Sequence, residues 1–297
     1  QIDGLSQYGA TTLTKAGPGV MAITANNAGT GDYTPYTGAT IINAGTLQLG
    51  NGAAAGAIDR SSGVTDNGTL AFNRTNSLTF SLVVSGTGGV SQVGSGTVNL
   101  IAANTYSGVT TITNGVLNIG TLENTNIACA IGKVTGAAGD LVINGGTLQY
   151  SGGPVQTTDR LFTIGVRGAT LDASGGLMTL GSAGGAIAFS SSANPAALTL
   201  TGTGSGELSA DLPDSGSDTN ITSLVKTGAG SWILTGTNTY RGNTTITGGK
   251  LYINGANANT TNISVAAGAT LGGSGSAGVA TVGVAAGGIV EGGSGGA

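Results

Sequence analysis

The sequence Lys226-Thr-Gly228-Ala-Gly230-Ser-Trp232-Ile-Leu234 leads, after three residues, into Asn238-Thr-Tyr240-Arg-Gly242-Asn-Thr-Thr-Ile246-Thr-Gly-Gly249-Lys-Leu251-Tyr-Ile253. Short apolar runs alternate with polar residues, as at Leu251 and Ile253. A period of two puts one face of a strand inward and the other outward. Glycines punctuate the runs where the chain must turn or where two backbones approach closely. No stretch has a helical period. The passage reads as strand, corner, strand.

The same frame occurs twice more. One copy runs Gln92-Val-Gly94-Ser-Gly96-Thr-Val98-Asn-Leu100, then Asn104-Thr-Tyr106-Ser-Gly108-Val-Thr-Thr-Ile112-Thr-Asn-Gly115-Val-Leu117-Asn-Ile119. The other runs Lys15-Ala-Gly17-Pro-Gly19-Val-Met21-Ala-Ile23, then Tyr36-Thr-Gly38-Ala-Thr-Ile-Ile42-Asn-Ala-Gly45-Thr-Leu47-Gln-Leu49, with an insertion around Gly29 to Pro35. The clear repeats therefore occupy about 13–50, 90–120 and 224–255. Weaker pieces lie between and after them: Asn67-Gly68-Thr-Leu70-Ala-Phe72, Ile143-Asn-Gly-Gly146-Thr-Leu148, Gly168-Ala-Thr-Leu171, Val265-Ala-Ala-Gly268-Ala-Thr-Leu271 and Val284-Ala-Ala-Gly287-Gly-Ile-Val290.

Marker glycines recur at about 19–23 residues, the period of one coil of a β-solenoid. One coil cannot bury its inward face alone. Stacked coils share a column of Val, Ile and Leu and hydrogen-bond backbone to backbone. Asn and Thr suit such a stack because like side chains bond up a ladder. The expectation is one all-β domain over 1–297, a parallel β-helix of about 13 turns. Glycine-rich turns occupy 263–297.

Composition agrees and excludes much. The 297 residues hold 58 glycines, 7% charged residues, 39% hydrophobic residues, one cysteine and no histidine. Disorder pairs low hydrophobicity with high net charge, which this chain lacks. Five prolines without a Gly-X-Y period exclude collagen. Without histidine there is no Ser-His-Asp triad and no imidazole metal ligand. Nine basic against thirteen acidic residues leave no stripe for nucleic acid. No apolar run is long enough to cross a bilayer as a helix. The opening Gln1, without a basic and apolar leader, fits removal of a signal peptide.

The frame over Gly228–Ile253, nearly matched over Gly94–Ile119 and recognisable over Gly17–Leu49, resembles the autotransporter-associated β-strand repeat of bacterial autotransporter passengers and large surface proteins. The tail from Ile263 to Ser276 is similar to passenger sequence. The resemblance implies a right-handed parallel β-helix, secreted to the outer surface of a Gram-negative-type bacterium and acting as adhesin, matrix protein or stalk. The repeat-defining positions are Gly94, Gly96, Asn104, Tyr106, Gly108 and Gly115 in one copy, and Gly228, Gly230, Asn238, Tyr240, Gly242 and Gly249 in the other.

Candidate chemistry is sparse. The Gly-x-Gly pairs are corner glycines, because no strand-to-helix phosphate loop surrounds them. Asp211-Leu-Pro-Asp214-Ser-Gly-Ser-Asp218 is the one acidic cluster. It reads as a solvated loop, with a weak calcium loop as its alternative, since hard cations gather carboxylate oxygens. Tyr36, Tyr106 and Tyr240 share one position and read as structural turn residues, with sugar stacking as the alternative. Met21, Val98 and Trp232 share an apolar position, which means core. Cys129 reads as a buried inert thiol. Lys15 and Lys226 align with Gln92 and read as a surface habit. Asn73-Arg-Thr75 is a glycosylation sequon, a weak signal.

No nucleophile has an evident base, so the chain is expected to have no catalytic activity and no cofactor. The leading reading is a structural, adhesin-like passenger or rigid stalk that meets surfaces or glycans. The alternative is a filament or sheath subunit stacking end to end with itself through unpaired strand edges. A polysaccharide-acting enzyme is the remote third, since it needs two facing carboxylates.

Overall fold

A computed structural model describes residues 10–25, 36–217, 219–278 and 280–293. The insertion at Gly29–Pro35 and Asp218 lie outside the described residues. The chain divides into two compact units, Gln1–Leu122 with Asn126–Thr135 and Glu123–Thr125 with Gly136–Ala297.

In the first unit, parallel strands stack into three faces. One holds Leu13–Lys15, Thr40–Ile42, Val64–Asp66 and Val84–Ser85 in that order. The second holds Val20–Ile23, Thr46–Ala53, Thr69–Arg74, Gly89–Gln92 and Thr110–Ile112. The third holds Leu78–Phe80, Thr97–Leu100 and Val116–Ile119. Each strand pairs with the strand of the next coil, so no hairpin is needed.

The second unit repeats the plan. Its longest faces run from Thr147–Tyr150 through Ala169–Ala173, Ala196–Thr201, Thr222–Lys226, Thr244–Ile246 and Asn262–Val265 to Thr281–Val284, and from Gln156–Thr158 to Ile289–Val290. The all-β solenoid expected from the sequence is the fold observed. One face of the first unit stacks five strands and the longest faces of the second stack seven, among the described residues. Turn lengths spread more widely than the sequence suggested. Stacked residues are 19 apart at Asn99 and Asn118, 23 at Gln149 and Asp172, and 29 at Ser174 and Thr203. The added residues swell the corners and leave the strands in register.

The core is a column of buried residues, apolar at every level but one in its longest run. Leu148, Leu171 and Leu200 lie beside one another, then Lys226, Ile246 and Val265. All six are buried. The weaker sequence pieces all supply strands to these stacks, including Leu70 and Phe72 at the centre of the first unit. Burying a Leu or Ile side chain contributes on the order of 2 kcal/mol, and a stacked coil buries several.

Candidate functional site

Three inward devices recur with the repeat, and each answers one structural demand. The first sits at the Gly-x-Gly corner. A tight corner turns carbonyls toward the interior, where they need donors. Lys226 stands in the apolar column and is fully buried. Its Nζ donates to the carbonyls of Thr227 at 2.6 Å, Gly228 at 3.0 Å and Gly248 at 3.0 Å. Lys15 does the same, donating to Gly17 at 2.7 Å and Ala44 at 2.9 Å. At Gln92 an amide replaces the ammonium, and its Nε2 donates to Gly94 at 2.8 Å and Gly96 at 3.0 Å.

These residues are thus interior corner caps, and the reading of them as a surface habit is corrected. Lys and Gln share one property that the cage requires, an N–H donor on a long apolar stem. Burial pulls the Lys226 ammonium down to about 8. The carbonyl oxygens around it supply the acceptors that water would otherwise give.

The next coil presses a glycine onto this corner. A Cβ at Gly249 would lie 2.3 Å from the Gly230 oxygen and 2.5 Å from the Gly228 oxygen. At Gly115 the corresponding distances are 2.4 Å to Gly96 and 2.5 Å to Gly94. Both glycines also have positive φ, +61° and +58°. Backbone approach and conformation alike demand glycine there.

The second device is the Asn-Thr-Tyr clamp. Asn104 Oδ1 accepts the Val84 N–H at 2.8 Å and its Nδ2 donates to Ala130 at 2.7 Å. Asn238 Oδ1 accepts the Leu212 N–H at 3.0 Å. Each Asn ties its coil to the one before. The tyrosines are buried, and each hydroxyl bonds a threonine hydroxyl four residues on: Tyr36 with Thr40 at 2.8 Å, Tyr106 with Thr110 and Tyr240 with Thr244 at 2.6 Å. They are structural turn residues, out of reach of a sugar. Burial pushes the Tyr240 phenol up, against the hydrogen bonds from its neighbours.

The third device is the filled core position. Trp232 is fully buried, and its Nε1 donates to the Thr201 carbonyl at 2.8 Å. Its ring lies flat over Gly206, where a Cβ would sit 2.5 Å from it. Cys129 is buried and free.

Among the described residues, several buried polar atoms lack a partner, Gln92 Oε1 and Asn257 Oδ1 included, and the one on an acidic group is at Asp66. Asp66 takes a corner position and is fully buried. Its Oδ1 accepts the Gly68 N–H at 2.9 Å, while Oδ2 has no partner. Burial pushes the carboxyl up to about 6, and the backbone N–H groups of Gly68 and Leu70 oppose the shift. Nothing in the sequence pattern marks this residue as interior.

The acidic cluster is drawn into the fold. Asp214 Oδ1 accepts the N–H groups of Thr222 at 2.9 Å and Arg241 at 3.0 Å, and Oδ2 pairs with Arg241 Nε at 2.5 Å. Asp211 Oδ1 accepts the Thr237 N–H at 2.6 Å. Asp218 lies outside the described residues. Among the described residues, no three acidic or cysteine side chains come together to hold a metal ion.

The inward positions described above serve the stack, and the outward rows face solvent. In the second unit Thr170, Thr199, Val225, Thr245 and Ser264 stand in register on one face. In the first unit Asn118 Nδ2 donates to Asn99 Oδ1 at 2.9 Å, and Asn99 Nδ2 donates to Thr79 at 3.3 Å, a polar ladder of the expected kind.

Comparison with known proteins matches these segments. The passenger-associated-transport-repeat profile fits residues 13–49, 90–119 and 224–253, the three copies of the frame. The chain is 34% identical over 263 residues to the adhesin BmaC autotransporter of Brucella suis biovar 1 (strain 1330), covering 75% of this chain and 8% of that protein. The chain thus spans a small part of that relative's length. No solved structure matches. The chain belongs to the passenger-associated-transport-repeat family of autotransporter passengers, exported proteins exposed at the bacterial surface.

Proposed function

We propose that the chain is an adhesive segment of an autotransporter passenger, a solenoid without catalytic activity whose outward rows contact foreign or matrix surfaces. The observation that carries the reading is the separation of roles between faces. Lys15, Gln92, Lys226, Tyr36, Tyr106 and Tyr240 are all turned inward, and Lys15, Lys226 and Tyr240 also bond the following coil. What remains outside is rich in hydroxyls and amides, with little charge and with scattered exposed Val and Ile such as Val20, Ile101 and Val155. Such a surface suits many weak hydrogen bonds to hydroxylated partners, summed over successive turns. The similarity to a protein named an adhesin supports the same reading.

The test is binding of the purified chain to a panel of cells, glycans and bare surfaces. Saturable binding to a subset of the panel is expected. Failure on every member would overturn the reading.

A second reading has one observation in its favour. Val282, Val284, Ile289 and Val290 are exposed, although they continue columns buried in the coils below. An apolar, hydrogen-bonding edge of this kind templates a further coil, either of the same polypeptide or of a second copy. Sedimentation of the chain over a wide concentration range tests the second-copy form. Growing species would support it, and a constant monomer would refute it.

A further inference from the structure

The third copy of the frame differs from the others on its outward side. Lys250 and Tyr252 stand where Thr46 and Gln48, or Val116 and Asn118, stand in the other copies. Beside them lies a cleft of about 320 Å³, at the small end of ligand-binding clefts. Its walls carry Thr203, Ser205, Ser231, Lys250 and Tyr252, and Gly230 forms part of its floor. A Cβ at Gly230 would meet the Gly204 oxygen at 2.0 Å, so the floor must stay bare backbone.

The lining groups are ordered by the stack. Ser205, Ser231 and Lys250 are neighbours in register. The two serine hydroxyls bond one another at 3.0 Å, and a hydroxyl has one donor and two acceptor sites, so both keep capacity for a ligand. The Lys250 side chain is exposed and makes no hydrogen bond or ion pair among the described residues. Tyr252 is held in place by its hydroxyl, which donates to Glu291 Oε1 at 2.8 Å. It forms a fixed wall.

We propose that this cleft binds an acidic saccharide through a sugar carboxylate on Lys250 and sugar hydroxyls on Ser205, Ser231 and Thr203. The proposal rests on the adhesive reading and names its ligand class. A single flexible ammonium suits a singly charged carboxylate. Phosphate sites are usually richer in donors, built from arginine forks or several convergent N–H groups. The row of hydroxyls favours a polyol over an acidic peptide.

The experiment is calorimetric titration of the full chain with trigalacturonate, its methyl ester, sodium sulfate and triglutamate. The same titrations are run on Lys250→Gln and Ser231→Ala, both at solvent-accessible positions outside the core. Trigalacturonate is expected to bind, the ester and Lys250→Gln to lose about tenfold in affinity, and Ser231→Ala to lose severalfold. Equal binding of the ester, or an unchanged Lys250→Gln, would overturn the role of charge. Binding of sulfate or triglutamate as tight as that of the sugar would overturn the saccharide. No heat with trigalacturonate would overturn the proposal outright. Surface binding by the unmodified chain, measured in parallel, separates that failure from failure of the adhesive reading.

Discussion

At the residue scale, the buried corner caps decide stability more than the hydrophobes around them suggest. Replacing Lys226 by Met removes a charged donor and leaves its carbonyls where they are. The orphaned carbonyls outweigh the relief of burying no charge, because both partners would have to go for the change to be neutral. Lys226→Met is expected to cost about 2 kcal/mol, and Lys226→Gln, which imitates Gln92, about half of that. Denaturant midpoints of the two variants check this, and a Met variant as stable as the parent would refute the cage. Asp66 works in the opposite sense. Its folded pKa of about 6 lies above the unfolded 3.8, so the folded state binds the proton more tightly. Its contribution is fully present below pH 3.8 and is lost as pH rises through about 6. Asp66→Asn should flatten the stability profile across that window, and an unchanged profile would show that the carboxyl does not titrate there. Neither residue's interior place was legible in the sequence. A lone lysine or aspartate is read as solvated because most are. The signal that could have moved Lys15 and Lys226 indoors was Gln92 at the same position, which preserves the N–H donor and discards the charge. The tyrosines were legible by their shared position. Their partners were not, since the first threonine of Thr-Thr-Ile looks like any strand residue.

At the scale of elements, the corners separate two kinds of glycine. Gly17 has positive φ with open space around its Cβ position, whereas Gly115 has positive φ and two carbonyl oxygens within 2.5 Å. Gly17→Ala should cost about 1 kcal/mol, the conformational penalty alone. Gly115→Ala should cost roughly 3 kcal/mol or more, because backbone must move as well. Thermal melting of both variants tests the ranking, and equal losses would show that the stacked corner relaxes freely. The Asn-Thr-Tyr clamp gives a second element-scale expectation. Tyr240→Phe keeps the ring and strips a hydroxyl that bonds Thr244 and accepts from Asn257 at 3.0 Å. A loss of about 1–2 kcal/mol is expected by urea unfolding. No loss would mean that a solvent path already serves those two side chains. Strand alternation and corner glycines made these elements readable. Coil length was not, because the residues that lengthen a coil to 29 lie in corners, where no periodicity constrains them.

At the scale of the whole molecule, each unit repeats one arrangement, inward rows that hold the stack and outward rows that face solvent. That division explains why the family frame is readable while the ligand is not. The frame records what stacking requires, and outward residues such as Lys250 and Tyr252 are free to differ between copies. It also makes the coils without a recognisable frame full members of the stack. Strands such as Ala169–Ala173 and Ser205–Leu208 pair on both sides as the framed strands do. Stability in such a stack comes from neighbour interfaces, so it should extend through them. Amide hydrogen exchange of the intact chain, resolved by residue, tests this most directly. Strand amides over Leu141–Leu208 are expected to be as protected as those over Lys226–Ile253. Protection confined to 13–49, 90–119 and 224–253, with the strands between exchanging like loops, would contradict it.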